Sequence, residues 1–101
     1  MGTRLELQDV LESVLGSTNV YFQPPESVRI KYDAIIYNRD MISPEYADNS
    51  PYQLYDRYSV TAVYRDPDSD LPHKLALLPL CRHNRHYTSD NLNHDVFELY
   101  F

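Results

Sequence analysis

The chain has 101 residues, of which 43% are hydrophobic, and a formal net charge of −6 at pH 7. This length is typical of one domain, here 1–101, with one modest core, and the acidic balance argues against binding nucleic-acid phosphates, which requires clustered Lys and Arg. The single cysteine, Cys81, excludes an internal disulfide and favours a reducing cytoplasm.

The sequence shows no pattern of a targeting or membrane segment. Residues 1–6 lack the basic and apolar regions of a secretory signal peptide. No apolar run approaches the ~20 residues that a helix needs to cross a bilayer. We therefore expect neither export nor a membrane partner.

Tyrosine is unusually frequent, with ten residues against no tryptophan. A single tyrosine is adequately explained by the preference of β-strands for aromatic residues. Ten together favour a chain that contacts other proteins, because tyrosine combines an apolar ring with a polar tip and is enriched at interfaces.

The N-terminal segment has the pattern of an amphipathic helix. Thr3 and Glu6 have the spacing of a capping box, and Gly16 stands where a helix commonly ends in the left-handed conformation. The pattern predicts a helix over 4–15. Its apolar stripe contains Leu7, Val10, Leu11, Val14 and Leu15.

Two strands are predicted after this helix. The first covers 20–22 and ends before two prolines, which cannot donate to a β-ladder. The second covers 30–37. Alternation divides this strand into two faces, one with Ile30, Tyr32, Ala34 and Ile36 and the other with Lys31, Asp33, Ile35 and Tyr37.

Residues 38–54 show no clear period and contain Pro44 and Pro51, which predicts a long loop. Its apolar and aromatic residues argue against disorder. Two interpretations remain open: a loop folded back on its own core, or an arm that reaches a neighbouring subunit. The candidate contacts with a subunit or partner are Arg39, Met41, Ile42, Tyr46, Tyr52 and Leu54.

The C-terminal half predicts strand, helix, strand and strand. The strongest strand covers 55–65, followed by an Asp-Pro turn and a short helix over 71–78, for which Asp70 is the predicted cap. A weak strand over 80–87 and a closing strand over 96–101 complete the order. The sequence therefore predicts an α+β domain with a mixed, mainly antiparallel sheet of about five strands and two helices.

Residue types that bind zinc are concentrated near Cys81, His83 and His86, with His94 and Asp95 further along. The spacing fits no standard zinc motif, and a regular strand would place Cys81 and His83 on one face and His86 on the other. No glycine-rich turn near Cys81 offers an oxyanion site for nucleophilic catalysis. We expect no metal, no cofactor and no catalytic residues.

Five strand and turn segments are distinctive. They are Tyr46-Ala-Asp-Asn, Tyr58-Ser-Val-Thr, Asp66-Pro-Asp-Ser-Asp-Leu-Pro, Leu75 to Leu78-Pro, and Arg85-His-Tyr-Thr-Ser-Asp-Asn-Leu-Asn-His-Asp-Val-Phe. With these segments the chain resembles the tail-terminator and neck proteins of long-tailed phages, and the resemblance covers most of the chain from Tyr21 onward.

The resemblance implies a structural virion protein with a tail-terminator-like fold and no enzymatic activity. Such a protein forms a hexameric ring that ends tail-tube polymerisation and joins tail to head. The implied partners are further copies of the chain, the tail tube protein and a neck or head-completion protein, and DNA passes through the lumen without specific binding. The implied location is the virion tail or neck, after assembly in the host cytoplasm.

Two alternatives remain beside the terminator. One is another neck component, either a head-closure or a tail-completion protein. The other is a small acidic intracellular module that binds a basic protein, which the net charge of −6 permits. An enzyme that uses Cys81 or the histidines is the weakest alternative.

Overall fold

A computed structural model describes the backbone of residues 3–47 and 50–101, and the side chains of residues 3–40 and 56–101. The helices are α1 (Arg4–Leu15) and α2 (Leu71–Ala76); the strands are β1 (Val20–Phe22), β2 (Ala34–Ala47), β3 (Ser50–Tyr64), β4 (Cys81–Ser89) and β5 (Leu92–Tyr100).

The strands form one sheet in the order β1-β2-β3-β5-β4. β1 runs parallel to β2, whereas the three other neighbouring pairs are antiparallel. Together with the two helices, this mixed sheet confirms the predicted α+β class. β1 and β4 are the two outermost strands, and β3 lies at the centre.

Helix α1 has the predicted bounds because both of its ends are capped as the sequence indicated. The backbone N–H of Glu6 donates to Thr3 Oγ1 over 3.2 Å, and that of Thr3 donates to Glu6 Oε1 over 3.3 Å. Gly16 has φ 81, a left-handed conformation that glycine adopts without steric cost, and its N–H bonds to the carbonyl of Glu12.

The core lies between the helices and one face of the sheet. Leu7 and Leu11 of α1 and Leu75 of α2 are fully buried against it. The sheet contributes alternate residues of β3, which share one face, together with residues of β1, β2 and β5. The buried sheet residues of this cluster are Val20, Ile35, Tyr37, Tyr58, Val60, Ala62, Tyr64, Phe97 and Leu99.

The predicted start of the second strand was wrong, since β2 begins at Ala34 rather than at residue 30. The polar groups just before it bond outside the ladder. The backbone N–H of Lys31 donates to the Tyr21 hydroxyl over 3.2 Å, and the carboxylate of Asp33 accepts the backbone N–H of Arg65 over 3.0 Å. These contacts bond residues 31 and 33 to other parts of the chain, so that the strand begins only at Ala34.

The predicted loop over 38–54 was also wrong, because its backbone continues β2 to Ala47 and begins β3 at Ser50. β1 pairs with β2 only up to Tyr37, and β5 pairs with β3 only from Arg57 onward. We call residues 41–55 the arm. Prolines are tolerated at the edges of strands, which is compatible with Pro44 and Pro51 in this paired segment.

Helix α2 is shorter than predicted, ending at Ala76. Asp70 precedes it without a capping side-chain bond, and the Ser69 hydroxyl instead accepts the backbone N–H of Leu71 over 3.3 Å. β5 begins at Leu92, earlier than predicted. Asp90 and Asn91 join β4 to β5. Their φ angles are 53° and 63°, positive values that are typical of a tight hairpin turn.

Candidate functional site

A β-bulge in β4 brings two histidines to the same face of the sheet. The register passes from His83, opposite Phe97, to Arg85, opposite Val96, so that Asn84 is an extra residue. His86 then lies opposite Asp95. The expectation that His83 and His86 occupy opposite faces was therefore wrong, because a bulge shifts the alternation by one residue.

Both histidines bond to one buried carboxylate. Asp95 is 4% exposed, and its Oδ1 is 2.9 Å from His83 Nε2 and 3.0 Å from His86 Nδ1. Its Oδ2 accepts the hydroxyl of the buried Tyr64. We call these four residues the Asp95 cluster. It connects the outermost strand β4 to β5 and to the central strand β3.

The cluster favours the ionised form of its carboxyl. Burial raises the pKa of Asp95, but hydrogen bonds from Tyr64, His83 and His86 outweigh that effect, so that its pKa lies below the ordinary value. For Tyr64, burial and the neighbouring carboxylate both raise the pKa. The pair therefore holds a carboxylate and a neutral phenol at neutral pH.

The arrangement fixes the tautomers of the two imidazoles. Since an ionised carboxylate only accepts, His83 donates from Nε2 and His86 from Nδ1. In the neutral rings, His83 Nδ1 and His86 Nε2 then carry free lone pairs. Such nitrogens can accept a hydrogen bond or a proton. Within residues 3–40 and 56–101, no group of three or more His, Cys, Asp or Glu is placed to hold a metal ion.

A half-open cavity of about 330 Å³ lies beside this cluster, between α2 and the sheet. The lining is mainly apolar, and its polar residues include Ser69, His83 and Asp95. A concave, mainly apolar surface with a few polar groups is the usual form of a binding pocket. The residues that line it are Tyr64, Pro67, Ser69, Pro72, His73, Ala76, His83, Asp95 and Phe97.

Cys81 lies outside this cavity lining, and its thiol is not activated. It is half-buried at the start of β4, and burial raises the pKa of the Cys81 thiol to about 11. A thiol becomes nucleophilic when its pKa is lowered by a nearby cation or a helix N-terminus. Cys81 shows the opposite shift.

We expect Cys81 to react slowly with alkylating reagents in the folded protein. Raising its pKa from 9.0 to about 11 makes the thiolate about 100-fold scarcer at pH 8. The measurement is the second-order rate of iodoacetamide labelling, followed by mass spectrometry, for folded and urea-unfolded chains. The folded rate should be about two orders of magnitude lower; equal rates would show that the thiol is not suppressed.

The base of the arm is held by two ion pairs between β2 and β3. Arg39 Nε lies 3.1 Å from Asp56 Oδ2, and Arg57 Nη2 lies 3.0 Å from Asp40 Oδ2. Arg39 also donates to the Tyr58 hydroxyl over 3.3 Å. Arg39, a predicted partner contact, therefore bonds to side chains of its own chain.

The other predicted partner contacts lie on the arm, and their side chains are outside the described residues. They are Met41, Ile42, Tyr46, Tyr52 and Leu54. The Asp95 cluster was not predicted, although one signal for it existed. Asp95, Phe97 and Leu99 are alternate residues of one strand and therefore share a face. A carboxylate on that core face requires hydrogen-bond partners.

The sequence matches no protein-family model, and neither the curated proteins nor the solved structures contain a match. Neither helix in the described part of the chain combines the length and apolarity that a bilayer crossing requires.

Proposed function

We propose that this chain is a structural assembly protein that works as a ring of identical copies held together by the arm. The observation that carries the proposal is the pairing of β2 and β3. Six residue pairs, from Ile42↔Asp56 to Ala47↔Ser50, continue the hairpin beyond the last residue pairs that β1 makes with β2 and β5 makes with β3. At ~3.4 Å per residue, these pairs extend over ~20 Å.

An arm of this kind gains stability from contact with another surface. A two-stranded hairpin alone is marginally stable in water. Residues 41–55 include Met41, Ile42, Leu54 and three tyrosines. The only charged residues of the arm are Glu45 and Asp48. Such a composition suits an interface, because aromatic residues and methionine are enriched at protein contacts.

The arm and the rest of the domain are different surfaces, so contact between them in two copies is head-to-tail. Head-to-tail contacts form a closed ring when the rotation between copies closes and a filament when it does not. The specific form that we propose is a hexameric tail terminator, which ends tail-tube polymerisation and joins the tail to the head of a phage. This role needs no catalytic residue.

The net charge of −6 supports the same role. An acidic lumen would repel the phosphates of DNA and let the duplex pass without specific binding. In this proposal, the protein acts in the virion after assembly in the host cytoplasm, and its other partners are the tail tube protein and a neck or head-completion protein.

Sedimentation velocity tests the role of the arm. The test variant replaces residues 41–55 with Asn-Gly, a sequence that favours a tight hairpin turn. This change leaves the described core cluster intact, since its members lie in other parts of the chain. We expect the wild type to form an oligomer and the variant to be a folded monomer with an unchanged far-UV circular dichroism of its helices. An oligomer of equal size in both proteins would contradict the proposal.

A further inference from the structure

We propose that the cavity between α2 and the sheet is a binding site for a small organic cation, whose ammonium or amidinium group faces Asp95 and whose compact apolar body fills the remaining space. The proposed assembly role uses neither this cavity nor the Asp95 cluster. The inference is therefore independent of the ring, and every residue that carries it lies within one copy of the chain.

The cavity has room for one compact apolar group. Its volume of about 330 Å³ is at the small end of ligand sites, which span roughly 300–1,000 Å³. Pro67, Pro72, Ala76 and Phe97 supply apolar surface. A group the size of a single aromatic ring would lose much of its contact with water there, and this loss is the main driving force for binding in such a site.

The Asp95 cluster places a negative charge in the wall of the cavity. Asp95 is 4% exposed, and its lowered pKa keeps the carboxyl ionised. Its hydrogen-bond donors are the Tyr64 hydroxyl and the two imidazoles of His83 and His86, which carry no charge while the imidazoles are unprotonated. A buried charge without an ionic partner is costly, and a bound cation would reduce that cost.

Asp95 and His83 also offer hydrogen-bond acceptors to a ligand. An ionised carboxylate accepts about four hydrogen bonds, and Asp95 receives three, so that one position remains on Oδ2 beside the Tyr64 hydroxyl. Because His83 donates from Nε2, its Nδ1 is an acceptor, and no described group bonds to it. Ammonium, amidinium and guanidinium groups only donate, so they match these two acceptors.

The turn before α2 adds negative charge near the cavity. Asp66 and Asp68 are the chain neighbours of Pro67, which lines it. Both are exposed, and no Lys or Arg in the described part of the chain forms an ion pair with either. Asp70 differs, since it pairs with Lys74 over 3.6 Å. Charges of one sign around a cleft raise the local concentration of ions of the opposite sign.

The arginines of the neighbouring strand lie away from the cavity. Arg82 and Arg85 of β4 are opposite Glu98 and Val96 of β5. These positions alternate with Phe97, which lines the cavity, so the two arginines occupy the other face of the sheet. Among the described residues that line the cavity, none is Lys or Arg. The charges in and around the cavity therefore favour a cation over an anion.

Isothermal titration calorimetry of the full chain at pH 8 tests the site with benzamidinium, neutral benzamide and anionic benzoate, which have nearly the same shape. At this pH the neutral imidazole is the ordinary form of histidine, and benzamidine is protonated. We expect benzamidinium to bind with a dissociation constant of about 1 mM, as a fragment-sized ligand does. Benzamide should bind at least about tenfold more weakly, a difference of about 1.4 kcal/mol, and benzoate should not bind.

Two matched pairs of variants locate the bound cation. Ala76→Phe fills the cavity from an exposed position of α2 and should abolish binding, whereas Leu77→Phe, 85% exposed and outside the lining, should bind like the wild type. Asp95→Asn keeps the size of the side chain but removes its charge, and should weaken benzamidinium binding at least about tenfold. Its control is Asp9→Asn, an equal change of charge at an exposed position of α1, which should change the dissociation constant less than about twofold.

Circular dichroism verifies the folding of each variant. Equal affinity of the wild type for benzamidinium and benzamide would overturn the inference, and so would a folded Ala76→Phe or Asp95→Asn that binds benzamidinium like the wild type. If Asp95→Asn does not fold, Ala76→Phe and the comparison of the probes decide. Absence of binding up to about 10 mM benzamidinium would also overturn the site. The arm-mediated ring is tested separately, by sedimentation velocity.

Discussion

Replacement of Phe97 by alanine is expected to lower the free energy of unfolding by about 4 kcal/mol, the largest effect of any single substitution considered for this chain. Phe97 is fully buried at the centre of the core, on β5. Its ring also packs at a right angle to that of His83, with centroids 5.1 Å apart. Truncation leaves a void that the closely packed neighbours fill only in part.

Urea unfolding followed by circular dichroism measures this loss. The control is Leu77→Ala, at a position that is 85% exposed, where truncation should change the free energy of unfolding by less than about 0.5 kcal/mol. If Phe97→Ala cost no more than this control, the described core would not hold the sheet and helices together.

Replacement of Asp95 by alanine is expected to lower the free energy of unfolding by about 3 kcal/mol, because it leaves a buried hydroxyl without a partner. Tyr64 is 3% exposed and donates to Asp95. The substitution also releases His83 and His86, which attach the outermost strand β4 to β5. Loss of a shared acceptor costs more than loss of one isolated bond.

Two comparisons test whether the lost hydrogen bonds cause the destabilisation of Asp95→Ala. Adding Tyr64→Phe to Asp95→Ala removes the unpaired hydroxyl and should recover about 1 kcal/mol, the lower part of the cost of a buried unpaired group. Asp9→Ala, on the exposed side of α1, is the control with an expected change below about 0.5 kcal/mol. Equal stability of Asp95→Ala and Asp9→Ala would contradict the network.

The contribution of Asp95 depends on pH in a definite direction. Its folded-state pKa is lowered, so its stabilisation is present above the ordinary carboxyl value of about 4 and is lost as the pH falls through the lower folded value. The advantage of the wild type over Asp95→Asn in free energy of unfolding should therefore shrink below about pH 4.

Local signals predicted the parts of the fold that local interactions determine. The capping box at Thr3 and Glu6 and the glycine at position 16 gave both ends of α1. The segment 20–22 before two prolines was predicted as a strand and forms β1. The arm was missed because its sequence shows no clear alternation and because Pro44 and Pro51 are typical of loops, although prolines are also tolerated at strand edges.

The Asp95 cluster shows a second limit of sequence patterns. His83 and His86 converge on Asp95 through one extra residue, Asn84, and nothing in the local sequence specifies a bulge there. The partner that draws them together lies nine or more positions away on the next strand. Long-range partners of this kind become visible only when strand register is known.

Native mass spectrometry of the wild-type chain at about 100 μM tests the arm-mediated ring most directly, since it counts the copies in each assembly. The account predicts one dominant mass, six times that of the 11.9 kDa chain, which is lost when residues 41–55 are replaced by Asn-Gly. A monomer as the sole species, or an assembly that survives the replacement of the arm, would contradict it.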